Sequence, residues 1–172
     1  MNNIIAIDPG SIKTGYAFIS EGGTLVSGIL EAPGGWGRTK RISHITGLLD
    51  RVLFVYSFDA ILMEVPGNKS YQRNRAKRGQ QKNIQSLVVL GMAIGVMEEL
   101  ADSKGLTILE ADAAVWTQGT NKKYRKMFAT TKLGRPPIDD NEADAVCLLD
   151  WYMGYMKQSR QPNVKEIFRK EG

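Results

Sequence analysis

Two short apolar runs, Asn3-Ile4-Ile5-Ala6-Ile7 and Asp59-Ala60-Ile61-Leu62-Met63, each end in a carboxylate, Asp8 and Glu64. Apolar runs of this length, followed by Pro-Gly, read as buried strands. A charge at the end of such a strand is costly unless solvent, a partner or a cation compensates it. Two further acids, Asp140 and Asp144, stand one helical turn apart near the far end of the chain. Carboxylate sets are how proteins hold magnesium or manganese, so the four acids form a candidate divalent-metal site.

The remaining pattern constrains the fold. Asn3 to Asp8 reads as a strand, Pro9-Gly10-Ser11 as a turn, Thr14 to Ser20 as a second strand and Thr24 to Leu30 as a third, with Glu21-Gly22-Gly23 between them. The chain therefore opens with an antiparallel meander. Ile42, Ile45, Leu48, Leu49, Val52 and Val55 recur at helical spacing between Trp36 and Tyr56. Asp59 to Val65 is a continuous apolar strand of the kind buried on both faces. A polar, basic loop runs to about Gln80, and the helix expected from Gln81 to Leu100 is apolar nearly all round. Such a helix is deeply buried or shared with a partner subunit. Gly105 to Glu110 is a fifth strand, followed by a short helix at Ala111 to Gln118, a basic helix at Asn121 to Thr131 and a last helix from Asp139 to Lys157. These elements predict an α/β fold with a mixed five-stranded sheet, its three-strand antiparallel meander flanked by helices. The expected domain spans 1–158, with a charged C-terminal tail at 159–172, and no Pro/Gly/Ser-rich linker divides the 172 residues.

Net charge is +5, and the excess is concentrated. From Val65 to Met97 no acid interrupts Lys69, Arg73, Arg75, Lys77, Arg78 and Lys82, and a second acid-free stretch, Ala113 to Ile138, carries Lys122, Lys123, Arg125, Lys126, Lys132 and Arg135. Ordinary surfaces intersperse the two signs, so these stretches favour a polyanionic partner, nucleic acid foremost. Tyr71, inside the first stretch, is placed to wedge or stack on a base, or is simply an exposed loop tyrosine. The single cysteine, Cys147, excludes an intrachain disulfide and sits in an apolar helical pattern, as a buried inert thiol would. His44 has no metal-ligand spacing around it. The chain starts with no signal-peptide pattern and no run approaches a membrane span, so a cytoplasmic protein with no membrane partner is expected.

Each acid also has a plainer reading. Asp8 belongs to Asp-Pro-Gly, which is good turn chemistry, and Asp139 or Asp140 suits a helix N-cap after Pro136-Pro137. Glu64, followed by Val-Pro, has no local need for a charge. At about 100° per residue, Asp140 and Asp144 share the helix face that continues through Cys147, Leu148 and Trp151, whereas Glu142 points away. Asn141, three before Asp144, is a possible neutral ligand.

The combination Ile5-Ala6-Ile7-Asp8-Pro9-Gly10-Ser11, Thr14-Gly15-Tyr16-Ala17, Met63-Glu64 and Glu142-Ala143-Asp144-Ala145 resembles RuvC-like Holliday junction resolvases, in particular compact phage-encoded members, in element order from about Met1 to Gly154. The resemblance implies a ribonuclease H-like fold, a homodimer, and cutting of four-way or branched DNA by two magnesium or manganese ions per site, leaving symmetric nicks with 5′ phosphates. Asp8, Glu64 and Asp144 match the family's first, second and last acids. The remaining ligand commonly stands three before the last acid, where this chain has Asn141, and Asp140 is the substitute that helix geometry offers. Lys122 and Lys123 are the nearest candidates for the basic groups that assist the family. The apolar helix Leu87 to Met97 is the candidate dimer interface. A ribonuclease acting on RNA:DNA hybrids, and a junction-binding module with weak catalysis, are the alternative readings.

Overall fold

The computed structural model describes residues 3–66, 80–117, 119–157 and 164–167, with backbone alone at 80–83, 155–157 and 164–167. Six strands make one mixed sheet in the order β3-β2-β1-β4-β5-β6. β1 (Ile4–Asp8), β2 (Lys13–Ile19) and β3 (Leu25–Glu31) form the antiparallel meander. β4 (Ala60–Val65) lies parallel to β1, and β5 (Thr107–Asp112) lies parallel to β4. This is the ribonuclease H-like plan, with all five expected strands. β6 (Val164–Ile167) pairs antiparallel with the outer edge of β5, so the segment expected as a tail contributes a sixth strand.

Helices cover both faces because the strands alternate. On β1, Ile5 and Ile7 point to one side and Ile4 and Ala6 to the other; on β4, Ile61 and Met63 oppose Ala60 and Leu62. The first side packs on α1 (Arg38–Val55) through Ile45, Leu49 and Leu53, and on α2 (Gln80–Ser103) through Ile94, Met97 and Ala101. The second side, lined by Ala6, Ala17, Ala60 and Ala111, receives α3 (Ala113–Trp116), α4 (Lys122–Leu133) and α5 (Asp140–Lys157). Those small residues let α5 lie close to the sheet. At Gly15 of β2 even a methyl group is excluded, since a Cβ there would stand 2.0 Å from the Asn141 carbonyl oxygen.

Two boundaries differ from expectation for local reasons. β5 runs on to Asp112, whose side chain accepts a hydrogen bond from the Ala114 N–H at 2.7 Å and so starts α3 late. α4 ends on Gly134 in the left-handed conformation, φ 67°. α2 is only half immersed: Ala93, Ile94 and Met97 are buried, while Ile84, Val88, Met92 and Val96, four apart, form an exposed apolar stripe. Contrary to the expectation from sequence, Ile84–Ser103 does reach the length and mean hydropathy, 1.6, of a membrane span, although its inner face belongs to the core.

Candidate active site

The strand alternation that builds the core also aims the acids. Asp8 continues the Ile4-Ala6 side of β1 and Glu64 the Ala60-Leu62 side of β4, so both carboxylates face α5. The parallel register Ile4↔Ala60 through Ile7↔Met63 brings the two strands to their ends together, which sets Asp8 beside Glu64. Asp144, on the first turns of α5, closes the group from the facing helix, where Ala143 and Ala145 pack on the same sheet face. Three of the four expected acids thus converge.

Their electrostatics carry the mark of crowding. Burial, then the charges of Glu64 and Asp144, push the Asp8 carboxyl well above its usual value, against the opposing pull of Lys122 and Arg125. Burial and the Asp144 charge raise Glu64 to about 7, although the Trp116 indole, Arg125 and Lys122 act in the opposite direction. Carboxylates that raise one another in this way hold a region of strong negative potential, which a cation relieves.

A basic and aromatic frame surrounds the group. Arg125, a buried residue, donates from its guanidinium Nε to Asp144 Oδ1 at 2.6 Å and from Nη2 to Oδ2 at 3.2 Å. Its Nη1 donates to the Thr120 carbonyl at 2.7 Å, and its guanidinium carbon lies 5.6 Å from the centre of the Trp116 ring. Trp116 Nε1 donates to Glu64 Oε2 at 3.0 Å. Arg125, Trp116, Glu64 and Asp144 therefore form one connected network. Arg125 had no distinguishing signal in the sequence beyond membership of a basic stretch, and Trp116 had none. On the other side of the β1–β2 turn, Arg41 donates to the carbonyls of Ser11 and Trp36 and braces the loop that follows Asp8.

Asp140 is not part of the convergence. Lys122 Nζ lies 3.0 Å from its Oδ2 and Lys126 pairs with its Oδ1, and these two hydrogen bonds hold its carboxyl below the usual value. The two lysines, one turn apart on α4, capture it before it reaches Asp8 or Glu64, which corrects the expectation from helix geometry. Asn141 donates its amide to the Lys13 carbonyl at 2.9 Å and ties the start of α5 to β2. Glu142 points away from the acids, as expected, and is fully buried. It accepts from Ser27 Oγ at 2.6 Å, from Arg135 and from the Ile138 N–H. Lys122 and Lys123 are exposed at the start of α4. Lys69, Tyr71, Arg73, Arg75, Lys77 and Arg78 lie outside the described residues, and Lys82 lies in the first turn of α2, where side chains are not described. Beside Trp116 and Arg125, the residues Tyr124, Phe128, Cys147 and Trp151 help line a cleft of about 210 Å³.

The donors at the site are hard carboxylate oxygens, which suit magnesium or manganese. Asp8 and Glu64 fit a divalent cation, being adjacent carboxyl groups that, among the described residues, are not paired with a base. Asp144 has both oxygens engaged by Arg125, and among the described residues no three acidic, histidine or cysteine side chains form a group able to hold a metal ion as they stand.

No protein-family model matches the chain. It is 28% identical over an alignment of 162 residues to the crossover junction endodeoxyribonuclease RuvC of Dictyoglomus turgidum, covering 87% of this chain and 95% of that protein. It is 28% identical over 171 residues to the RuvC of Protochlamydia amoebophila (91% and 95% covered), and 23% identical over 183 residues to that of Chlorobium chlorochromatii (98% and 89%). Among solved structures, Thermus thermophilus RuvC in complex with a Holliday junction substrate superposes with a TM-score of 0.73 at 16% identity, covering 97% of this chain and all of that one. A second T. thermophilus RuvC structure gives 0.70. These likenesses span nearly the whole chain, and the shared fold is ribonuclease H-like.

Proposed function

We propose that this chain is a RuvC-like Holliday junction resolvase, an endonuclease that nicks branched DNA symmetrically by metal-dependent phosphodiester hydrolysis. The observation that carries the reading is the convergence of Asp8, Glu64 and Asp144 at the ends of two parallel strands and the helix that covers them. Similarity to curated RuvC enzymes over 87% of the chain or more supports it.

Asp8 and Glu64 would hold magnesium or manganese, which would supply a Lewis acid for the scissile phosphate and lower the pKa of an attacking water. Glu64, oriented by the Trp116 indole, positions that water. Lys122 and Lys126 keep Asp140 folded against α4 and present positive charge at the rim, where a DNA backbone approaches. The two ions of the sequence expectation require Asp144 as well, and Arg125 already engages it. Affinity comes from phosphate contacts of the basic stretches and falls steeply with salt. The exposed stripe Ile84, Val88, Met92 and Val96 is the interface of a homodimer, whose two-fold axis matches a four-way junction. Such an enzyme works in the cytosol, where its DNA is. One observation favours the non-cutting alternative: the Arg125–Asp144 pair neutralises a ligand.

The test is incubation of the purified protein with a synthetic four-way junction, a linear duplex and an RNA:DNA hybrid, with and without magnesium, beside Asp8→Asn and Glu64→Gln. Paired nicks in the junction alone, magnesium-dependent and lost in both variants, are expected. Preferential cutting of the hybrid would point to a ribonuclease, and tight junction binding without cutting would point to a binding module.

A further inference from the structure

The site holds three acids and one buried base. Arg125 reaches Asp144 through two nitrogens, at 2.6 and 3.2 Å, with 10% and 13% of the two side chains exposed. A salt link formed by chance at a surface lacks the further restraints seen here. The third donor group of Arg125 is spent on the Thr120 carbonyl at 2.7 Å, its flat face lies toward Trp116, and its own carbonyl accepts from the Cys147 thiol at 3.5 Å. A planar guanidinium locked on both edges is a fixed charge. Asn141, where the resemblance leads one to expect a further acid, is neutral and hydrogen-bonded to Lys13.

We propose that Arg125 serves as a built-in cation of the site, its guanidinium taking the place of one divalent ion at Asp144, so that the protein alone binds a single divalent ion, at Asp8 and Glu64. The charge arithmetic agrees. Asp144 and Arg125 cancel, and the two remaining carboxylates match one divalent ion. Among the described residues no further carboxylate at the site is free to hold a second divalent ion, and placing it near a fixed guanidinium is repulsive. Arg125 is on this view a positioning residue for the metal centre, and the inference rests on the metal-dependent reading above.

The experiment counts bound Mn²⁺ per chain by titration calorimetry and by the electron paramagnetic resonance signal of free Mn²⁺, without DNA, on the full chain. Wild type is expected to bind one ion. Arg125→Met, which keeps the length of the side chain and removes its charge, is expected to bind two, and Arg125→Lys is expected to return to one. Circular dichroism establishes whether each variant is folded. A second variant does not depend on that result: Asp144→Asn, which retains an acceptor for Arg125, is expected still to bind one Mn²⁺, more weakly than wild type because the Arg125 charge is left uncompensated, since Asp144 is not that ion's ligand. Two ions in wild type, one ion in a folded Arg125→Met, or no bound Mn²⁺ in a folded Asp144→Asn each overturns the role given to Arg125. A protein that binds no Mn²⁺ overturns the metal-dependent reading itself, and magnesium-dependent junction cutting by a wild type that binds two ions would leave that reading standing while this one fails.

Discussion

Gly15 is the position at which the fold and the site are most tightly linked, and Gly15→Ala tests that link. A Cβ built there would meet the Asn141 carbonyl oxygen at 2.0 Å, its carbon at 2.3 Å and the Glu142 nitrogen at 2.9 Å, all backbone atoms. Contacts under 3.0 Å are not tolerated, so α5 must retreat from β2 by at least about 1 Å. Overpacking of this kind costs about 1–3 kcal/mol where side chains give way, and here a helix backbone must, which sets the expectation at about 3 kcal/mol. In a chain of this size that lowers the melting temperature by roughly 6–12 °C. Asp144 follows one turn after Asn141, so the same retreat draws it from Asp8 and Glu64, and a misplacement near 1 Å costs on the order of a hundredfold in rate. The control is Gly47→Ala in α1, where a Cβ meets nothing within 4 Å and an exposed helical glycine becomes alanine; it is expected to stabilise by about 0.5–1 kcal/mol. Thermal melts followed by circular dichroism and single-turnover junction cleavage read the two effects. A Gly15→Ala protein that melts within about 2 °C of wild type and cuts at the same rate would refute the argument that α5 is seated on bare backbone.

Arg135→Met tests the buried carboxylate of Glu142. Burial raises that carboxyl, but hydrogen bonds from Arg135, Ser27 and the Ile138 N–H, with the Arg135 charge, outweigh it and hold the group below its ordinary value of 4.5. The linked stability is therefore present above pH 4.5 and lost as pH falls through the lower folded value. The variant is expected to lose about 1–3 kcal/mol at neutral pH, an amount that shrinks in acid, and a loss unchanged down to about pH 3 would contradict this. Cys147 is pushed up to about 12 by burial and then by the charge of Asp144. Iodoacetamide at pH about 8 should label the native thiol at least about a hundredfold more slowly than the denatured one, and equal rates would show it accessible and ionised. Val88→Asp places a charge in the exposed apolar stripe of α2; sedimentation is expected to shift from dimer to monomer with little change in melting, and a wild type that is monomeric at every concentration would remove the dimer. Asn141→Asp replaces a donor to the Lys13 carbonyl with a charge facing it. It is expected to lower stability by about 1–2 kcal/mol, and an unchanged melt would show that the tie to Lys13 contributes nothing.

The sheet was legible because its physics is local. β4 has to be buried on both faces to tolerate Ala60-Ile61-Leu62-Met63, and the observed strand lies between β1 and β5, packed from both sides. The same alternation explains Asp8 and Glu64, which share parity with Ala6 and Leu62 and so must emerge on the same face once the strands pair in parallel. β6 was not legible: Val164-Lys165-Glu166-Ile167 has no pattern strong enough to predict a strand, and its partner, the open edge of β5, exists only in the assembled sheet.

Asp140 and Arg125 failed to show in the sequence for one shared reason. Helical periodicity gives the angle of a residue about its axis and not its height. Asp140 and Asp144 share a face, yet four residues separate them by about 6 Å along the helix. On α4 Lys122 and Lys126 pair with Asp140 and Arg125, which lies between them in height but on another face, pairs with Asp144. Two basic residues one turn apart, Lys122 and Lys126, thus pair with one acid, and Arg125, on an adjacent face of the same helix, turns inward to the other. The α4–α5 packing decides which acid stays at the rim, neutralised by lysines that water also reaches, and which is buried under a guanidinium. A helix pair of this design sets the charge of the candidate site from outside the strands that carry Asp8 and Glu64, so a change in α4 alters the field at those two acids without altering either of them.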